Sequence, residues 1–327
     1  MRKWNYRFEV PDIKKCRMIV YTDCKNEADD QFALAHHLMT QKFMVKGIIG
    51  AHFNGNAGVC GAGKTAQASV DEIHKVLRLM DVDDMYEVYR GTEYPLEDLS
   101  TPRKSEAAEF IIREAMRDDP HPLFIACQGS LTDLASAILM EPQICSRMTA
   151  IWIGGGMYPE GGFEFNCKMD PLAANVLMSS LMPVWQIPIM VYKQMAVSLS
   201  ELQLNVQPCG AIGDYLFSQM VELNMKAAAY AERIAEETGD FEKGFSTWPQ
   251  GETWGLGDSP TVGVLLEESE KTDIYEMRPA PSIDPETLKY SFETQNREIR
   301  VYREVNARLI LNDFFAKLKL NYGGAGN

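Results

Sequence analysis

Apolar residues in this chain come in short unbroken runs separated by amphipathic stretches. The runs at 17–23 ("RMIVYTD"), 44–53 ("MVKGIIGAHF"), 122–130 ("PLFIACQGS"), 149–156 ("TAIWIGGG") and 184–192 ("VWQIPIMVY") are short, apolar and closed by polar or glycine residues. Runs of this kind predict strands buried on both faces. Between them, "DDQFALAHHLMTQ", "TAQASVDEIHKVLRLM", "SEAAEFIIREAMRD", "LTDLASAILME" and "DPLAANVLMSSL" carry the spacing of helices. Strand and helix in alternation predict an α/β fold, a mainly parallel sheet flanked by helices. Ligands of such sheets sit beyond the carboxyl ends of the strands, so the loops after these runs are the places for chemistry. Residues 210–250 read as an acidic helical appendage over that edge. With no internal repeat or low-complexity linker, residues 1–327 read as one domain.

Composition changes the picture in two ways. Acidic side chains number 46 against 32 basic ones, a formal net charge of −14, which repels nucleic acid and anionic membrane surfaces and favours a small-molecule partner. The seven cysteines are an odd number with no CxxC pair, the pattern of reduced thiols in a cytoplasmic protein. The first residues hold no apolar stretch of signal-peptide length, and no window approaches a membrane span.

Two loops compete as the chemical centre. "GVCGAGKT", residues 58–65, has the spacing of a phosphate-cradling loop. A working loop of that kind follows a strand directly and is paired with a later strand ending in an acid that holds magnesium. Here "NGNA" separates Phe53 from Gly58, and the one apolar run ending in Asp precedes the loop. A glycine-rich turn is the better reading, with a phosphate-loop nucleotidase as the weaker alternative. The other loop is "YTDCKNEADDQF", where Asp23 closes a buried run and Asp29 and Asp30 open a helix, with Glu27 between them. Carboxylates crowded at a strand end suit a hard divalent cation, calcium or magnesium. The same aspartates also suit a plain helix start.

At these residues the chain resembles the calcium-dependent nucleoside hydrolases of inosine-uridine type. "YTDCKNEADD" is similar to that family's strand ending D-T-D, short loop and D-D helix start. "QGSLTDLASAILMEP", "IWIGGGMYPEGGFEFNCKMDPLAANVL", "LGDSPTVGVLL" and "VYREVNARLILNDFFAKL" resemble its later segments in the same order. The resemblance implies that Asp23, Asp30, Asp258 and the backbone carbonyl of Thr132 hold calcium, with Asp23 also taking a proton from the attacking water. It further implies that Asp29, Asn54, Glu164 and Asn166 hold the ribose hydroxyls of a ribonucleoside or related ribosyl compound. Homodimeric or homotetrameric assembly is expected, with no nucleic acid or membrane partner. Taken one at a time, Asn166, Thr132 and Asp258 are also ordinary capping or turn residues.

Departures from the family pattern bear on the chemistry. Tyr21 stands where the family has its first Asp, and the loop after Asp23 is two residues longer, which brings Asn26 or Glu27 toward the site. Gly257 takes the place of the histidine that protonates the departing base. Of the five histidines only His52 lies on a loop expected near the site, which makes it the candidate replacement acid, with Glu252, Trp254, Tyr192 and Lys193 behind it. Trp248 and Trp254 are candidates to stack on an aromatic leaving group. The missing histidine leaves open a second reading, a nucleoside- or sugar-binding protein without efficient catalysis.

Overall fold

Alternate residues of the first strand feed opposite cores. In the computed structural model, which describes residues 4–247, 251–267, 272–292 and 297–324, Met18 and Val20 pack into one layer and Ile19 and Tyr21 into the other. This is the period-2 alternation of a strand covered on both faces. The strand, β1 (Cys16–Thr22), lies in a sheet with β2 (Phe43–Gly50), β3 (Val88–Arg90), β4 (Leu123–Gln128), β5 (Met148–Ile153) and β6 (Val184–Ile187). All six run parallel in the order β3-β2-β1-β4-β5-β6. The strand Glu298–Tyr302 continues the sheet in parallel beside β6, and Tyr275–Pro279 closes that edge antiparallel. The mainly parallel sheet flanked by helices is therefore as expected.

The helices α1 (Asp30–Met39), α2 (Thr65–Leu79), α3 (Glu106–Ala115) and α4 (Thr132–Met140) fall on the amphipathic stretches. From β1 the chain steps outward through β2 to β3, then returns to the other side of β1 as β4. Strand order reverses between β1 and β4, and their carboxyl ends are level, with Thr22 paired to Gln128. That is the crevice where open α/β sheets bind ligands.

Some boundaries differ from expectation. β6 stops at Ile187 rather than running to 192, because Pro188 offers no N–H to a ladder and the chain turns into the helix Ile189–Tyr192. β3 went unrecognised, since three half-buried or exposed residues at a sheet edge carry little apolar signal. The helical segment expected over 210–250 is the long helix Gly210–Thr238 followed by Phe241–Ser246. The buried residues of the long helix lie in its first half, from Ile212 to Asn224. There Gln219 Nε2 donates to the Ala28 carbonyl at 2.8 Å, so this helix braces the loop after β1.

The glycine loop does not cradle an anion. Residues Asn54–Val59 form a 3-10 turn, and α2 begins only at Thr65. The backbone N–H groups of Ala66 and Gln67, the natural phosphate donors at this helix start, donate to Glu93 Oε2 and Oε1 at 2.9 and 3.1 Å. Thr65 Oγ1 is buried and accepts from the Phe53 N–H at 3.2 Å. The chain's own carboxylate thus occupies the positive end of the helix. Titration calorimetry with ATP should give no saturable binding, in the unmodified chain or in Lys64→Ala. Tight ATP binding that Lys64→Ala abolishes would restore the phosphate-loop reading.

Candidate active site

Asp23 leaves β1 at its carboxyl end and turns at once, its carbonyl accepting from Lys25 and Asn26 N–H at 2.7 and 2.9 Å. Asn26 Nδ2 then donates to Asp23 Oδ2 at 3.2 Å, so the extra loop residues fold back onto the aspartate. Gly129, just beyond β4, has no room for a side chain: a Cβ there would lie 2.9 Å from Asp23 Cβ. Asp29 and Asp30 begin α1, and Asp258 comes from a distant turn before the helix Pro260–Leu266. Single oxygens of Asp29, Asp30 and Asp258 lie within 4.8 Å of one another, all three residues buried. Thr22 Oγ1 donates to Asp30 Oδ1, and the Asp258 N–H donates to Asp29 Oδ2 at 3.3 Å.

These groups line a half-open cleft together with Asp23, Asn26, Glu27, Gln128, Glu164, Phe165, Asn166, Tyr192 and Gly257. Among the described residues, no Lys, Arg or His lines it. Burial, then repulsion from neighbouring carboxylates, pushes Asp23 and Asp258 well above the usual range. Asp30 and Glu27 rise to about 8 for the same reasons, and Asp29 to about 6 under burial alone, opposed by backbone N–H groups. An uncompensated buried charge costs several kcal/mol, against a whole-protein stability of about 5–15 kcal/mol. The cluster therefore holds either protons or a cation. An all-oxygen set without thiolate or imidazole fits a hard ion such as calcium.

In the same cleft, Glu164 caps the helix Phe165–Met169. Its carboxylate accepts from the Gly155, Asn166 and Cys167 N–H groups at 2.8, 3.1 and 2.9 Å and from the Tyr192 hydroxyl at 2.9 Å. Four donors fix its orientation and offset the burial that raises its pKa. Asn166, which also lines the cleft, donates its Nδ2 to the Ile153 carbonyl at 2.9 Å.

Comparison with known proteins decides the family. A profile described as inosine-uridine preferring nucleoside hydrolase matches residues 18–310, most of the chain. The chain belongs to this family. The inosine-uridine preferring nucleoside hydrolase of Crithidia fasciculata is 32% identical over 98 residues, 29% of this chain and 30% of that one. The pyrimidine-specific ribonucleoside hydrolase RihB of Escherichia coli O1:K1 is 28% identical over 126 residues, 37% of this chain and 40% of that one. The matched segments thus span less than half the length of these curated relatives. Among solved structures, a purine-preferring ribonucleoside hydrolase from Gardnerella vaginalis superposes with a TM-score of 0.64 at 19% identity, over 94% of this chain and all of that one. That likeness speaks for the fold.

Several expected site residues do not line the family's cleft here. Asn54 turns into the glycine loop, its Oδ1 accepting from Gly63 N–H at 3.3 Å. Thr132 is the first residue of α4, and its carbonyl accepts the Ser136 hydroxyl at 2.7 Å while its own hydroxyl donates to Asp170 at 2.6 Å. His52 is fully buried behind it: Nδ1 accepts from Asn54 N–H at 3.4 Å and Nε2 lies 2.7 Å from Thr132 Oγ1. Burial lowers its pKa to about 4, so it is a neutral structural histidine, not an acid at the cleft. Trp254 is 3% exposed, part of the core beneath the sheet, and Trp248 lies outside the described residues. Glu252 and Lys193 are exposed and off the cleft, whereas Asn26, Glu27 and Tyr192 do line it. Tyr21 faces away, donating to Asp133 Oδ2 at 3.0 Å and accepting the Asp133 N–H at 3.1 Å.

Gln128 and Phe165 line the cleft and were not singled out from the sequence. Position was the available signal: Gln128 ends an apolar strand, and Phe165 sits inside "FEFN". Tyr192 stands against Gly257, where a Cβ would lie 3.0 Å from its Cδ2. The tyrosine ring thus borders the space a histidine at 257 would use.

The raised carboxyl pKa values set a sign for stability. In metal-free protein Asp30 and Glu27 hold protons up to about pH 8, whereas unfolded carboxyls release them near pH 4. Their contribution is present at low pH and is lost as pH rises through the folded value. His52, with His36 near 4 and His37 near 3, contributes in the opposite sense only below about pH 6.5. Calorimetric melting in chelator should therefore fall between pH 6.5 and 8, and calcium should reverse the fall at pH 8. Melting that is flat with pH and indifferent to calcium would show that the cluster is not as built here.

Proposed function

We propose that the chain is a calcium-dependent hydrolase of the N-glycosidic bond in ribonucleosides or related ribosyl compounds. The observation that carries this is the buried carboxylate cluster without a basic partner, faced across one cleft by Glu164 and Asn166. Asp30 and Asp258, grouped with Asp29, would hold the ion together with Asp23, which lines the same cleft. When bound, the ion supplies Lewis-acid polarisation of the attacking water.

Asp23 serves as the proton acceptor. Asn26 engages its Oδ2, which leaves Oδ1 to take the proton. Asp29, Glu164 and Asn166 hold the ribose hydroxyls, and the fixed carboxylate of Glu164 favours a ring that develops positive charge. Neither Asn54 nor Thr132 takes part in the arrangement described. On the leaving-group side Phe165 offers an aromatic face in place of the expected tryptophans.

The absence of a lining histidine favours the second reading, a binding protein with little turnover. Base release from a nucleoside panel separates the two readings. Hydrolysis should vanish in excess chelator and in Asp23→Ala, with the fold retained. General-acid assistance is typically worth about 10²–10⁴-fold, so a nitrophenyl riboside should be cleaved faster than inosine by up to that factor. Activity that survives chelation would refute the metal reading, and binding without any release would leave the binding protein.

We place the chain in the cytoplasm on its free thiols and propose a homodimer or homotetramer. Phe241 and Phe245, 81% and 73% exposed on one short helix, are apolar surface that assembly would cover. Sedimentation velocity reads the state directly, and a monomer at high concentration would refute it.

A further inference from the structure

Asn26, in the longer loop after β1, is 8% exposed, and both ends of its side-chain amide are engaged. Nδ2 donates to Asp23 Oδ2 at 3.2 Å, and Oδ1 accepts from Asn56 Nδ2 at 2.8 Å. An ionised carboxylate only accepts, so the amide nitrogen must face Asp23 and the oxygen must face away from it. That oxygen then needs a donor, and Asn56 supplies one. The three groups form a line of one polarity, Asn56 to Asn26 to Asp23, with the last hydrogen bond made to the charged member.

Asn56 reaches Asn26 because of how its own turn is built. It breaks the regularity of the 3-10 turn Asn54–Val59, with φ −119° and ψ 39°, while its N–H stays on the Phe53 carbonyl at 2.8 Å. Gly55 lets the turn lie against the helix Phe165–Met169, since a Cβ there would come within 2.9 Å of Met169 Sδ. Asn54 ties the far side of the turn to the Gly63 N–H. The turn that opens the glycine-rich stretch is thus pinned beside the loop that carries Asp23.

We propose that Asn56 is a positioning residue for the reaction, acting on the Asp23 carboxylate through Asn26, an inference that rests on the hydrolase reading above. Asn26 holds one carboxylate oxygen. Asn56 keeps Asn26 from turning its amide over, an inversion that would set oxygen against oxygen at Asp23. Asp23 Oδ1 is then the oxygen left for the proton of the attacking water. Asn56 does not itself line the cleft, so its influence passes through Asn26.

A double-mutant cycle on the full chain tests this, with a nitrophenyl riboside as substrate and calcium present. Asn26→Ala should lower kcat by roughly 10–100-fold, the scale on which hydrogen-bond partners of metal-site ligands act, and Asn56→Ala by about 10-fold, each with little change in KM. The two changes together should be no slower than Asn26→Ala alone, because Asn56 then has nothing to act through. Losses that multiply would show two independent structural effects and overturn the proposal. Side-chain amide NMR spectra of protein labelled on asparagine read the same relay without turnover: the resonance missing in Asn26→Ala should shift in Asn56→Ala. An unmoved resonance, or unchanged kcat in Asn56→Ala, also overturns the proposal, while the hydrolase reading stands. Melting in chelator checks folding, and leucine, close to asparagine in volume, replaces alanine in any variant that does not fold. No cleavage of the riboside by the unmodified chain removes that reading and this inference together.

Discussion

Carboxylates gathered at one strand end, with no basic side chain among the described residues of their cleft, are the constraint on which the rest of the structure depends. At 4.8 Å separation and an effective dielectric of about 20, two like charges repel by about 3–4 kcal/mol. Three such pairs among Asp29, Asp30 and Asp258 rival the stability of an ordinary domain. The fold holds them together from separate directions: β1 delivers Asp23, the start of α1 delivers Asp29 and Asp30, and the turn before the helix Pro260–Leu266 delivers Asp258. Gly129 leaves room for Asp23, and Gln219 on the long helix braces the loop at Ala28. Supports of this kind keep the carboxyl groups close, with protons in place of the charges when no cation is bound.

Much of this was readable from residues alone, for physical reasons. β1, β4 and β5 are buried on both faces, so they spell continuous apolar runs. The acid pair opening α1 is local, and it landed where its neighbours in sequence indicated. What sequence could not give was the direction of a side chain after a turn. Asn54 follows β2 as expected but bends toward Gly63, and His52 turns inward to Thr132. Trp254 pairs into a short ladder with Val197 and is core. Gln128 escaped notice because its hydrogen bonds run to Asp258 and Thr261, far away in sequence.

Within the cleft, Glu164 is held in place by four donors to its carboxylate. Gly257, Tyr192 and Phe165 line the same cleft, and no histidine is among its described lining residues.

The central claim is that the cluster exchanges protons for a cation. Calcium titration calorimetry at pH 7.5, repeated in buffers of different ionisation enthalpy, measures that exchange directly. The account predicts one ion bound per chain with net proton release, because Asp30 and Glu27 carry protons near that pH when the site is empty. Binding with no proton release, or no binding at all, would contradict it.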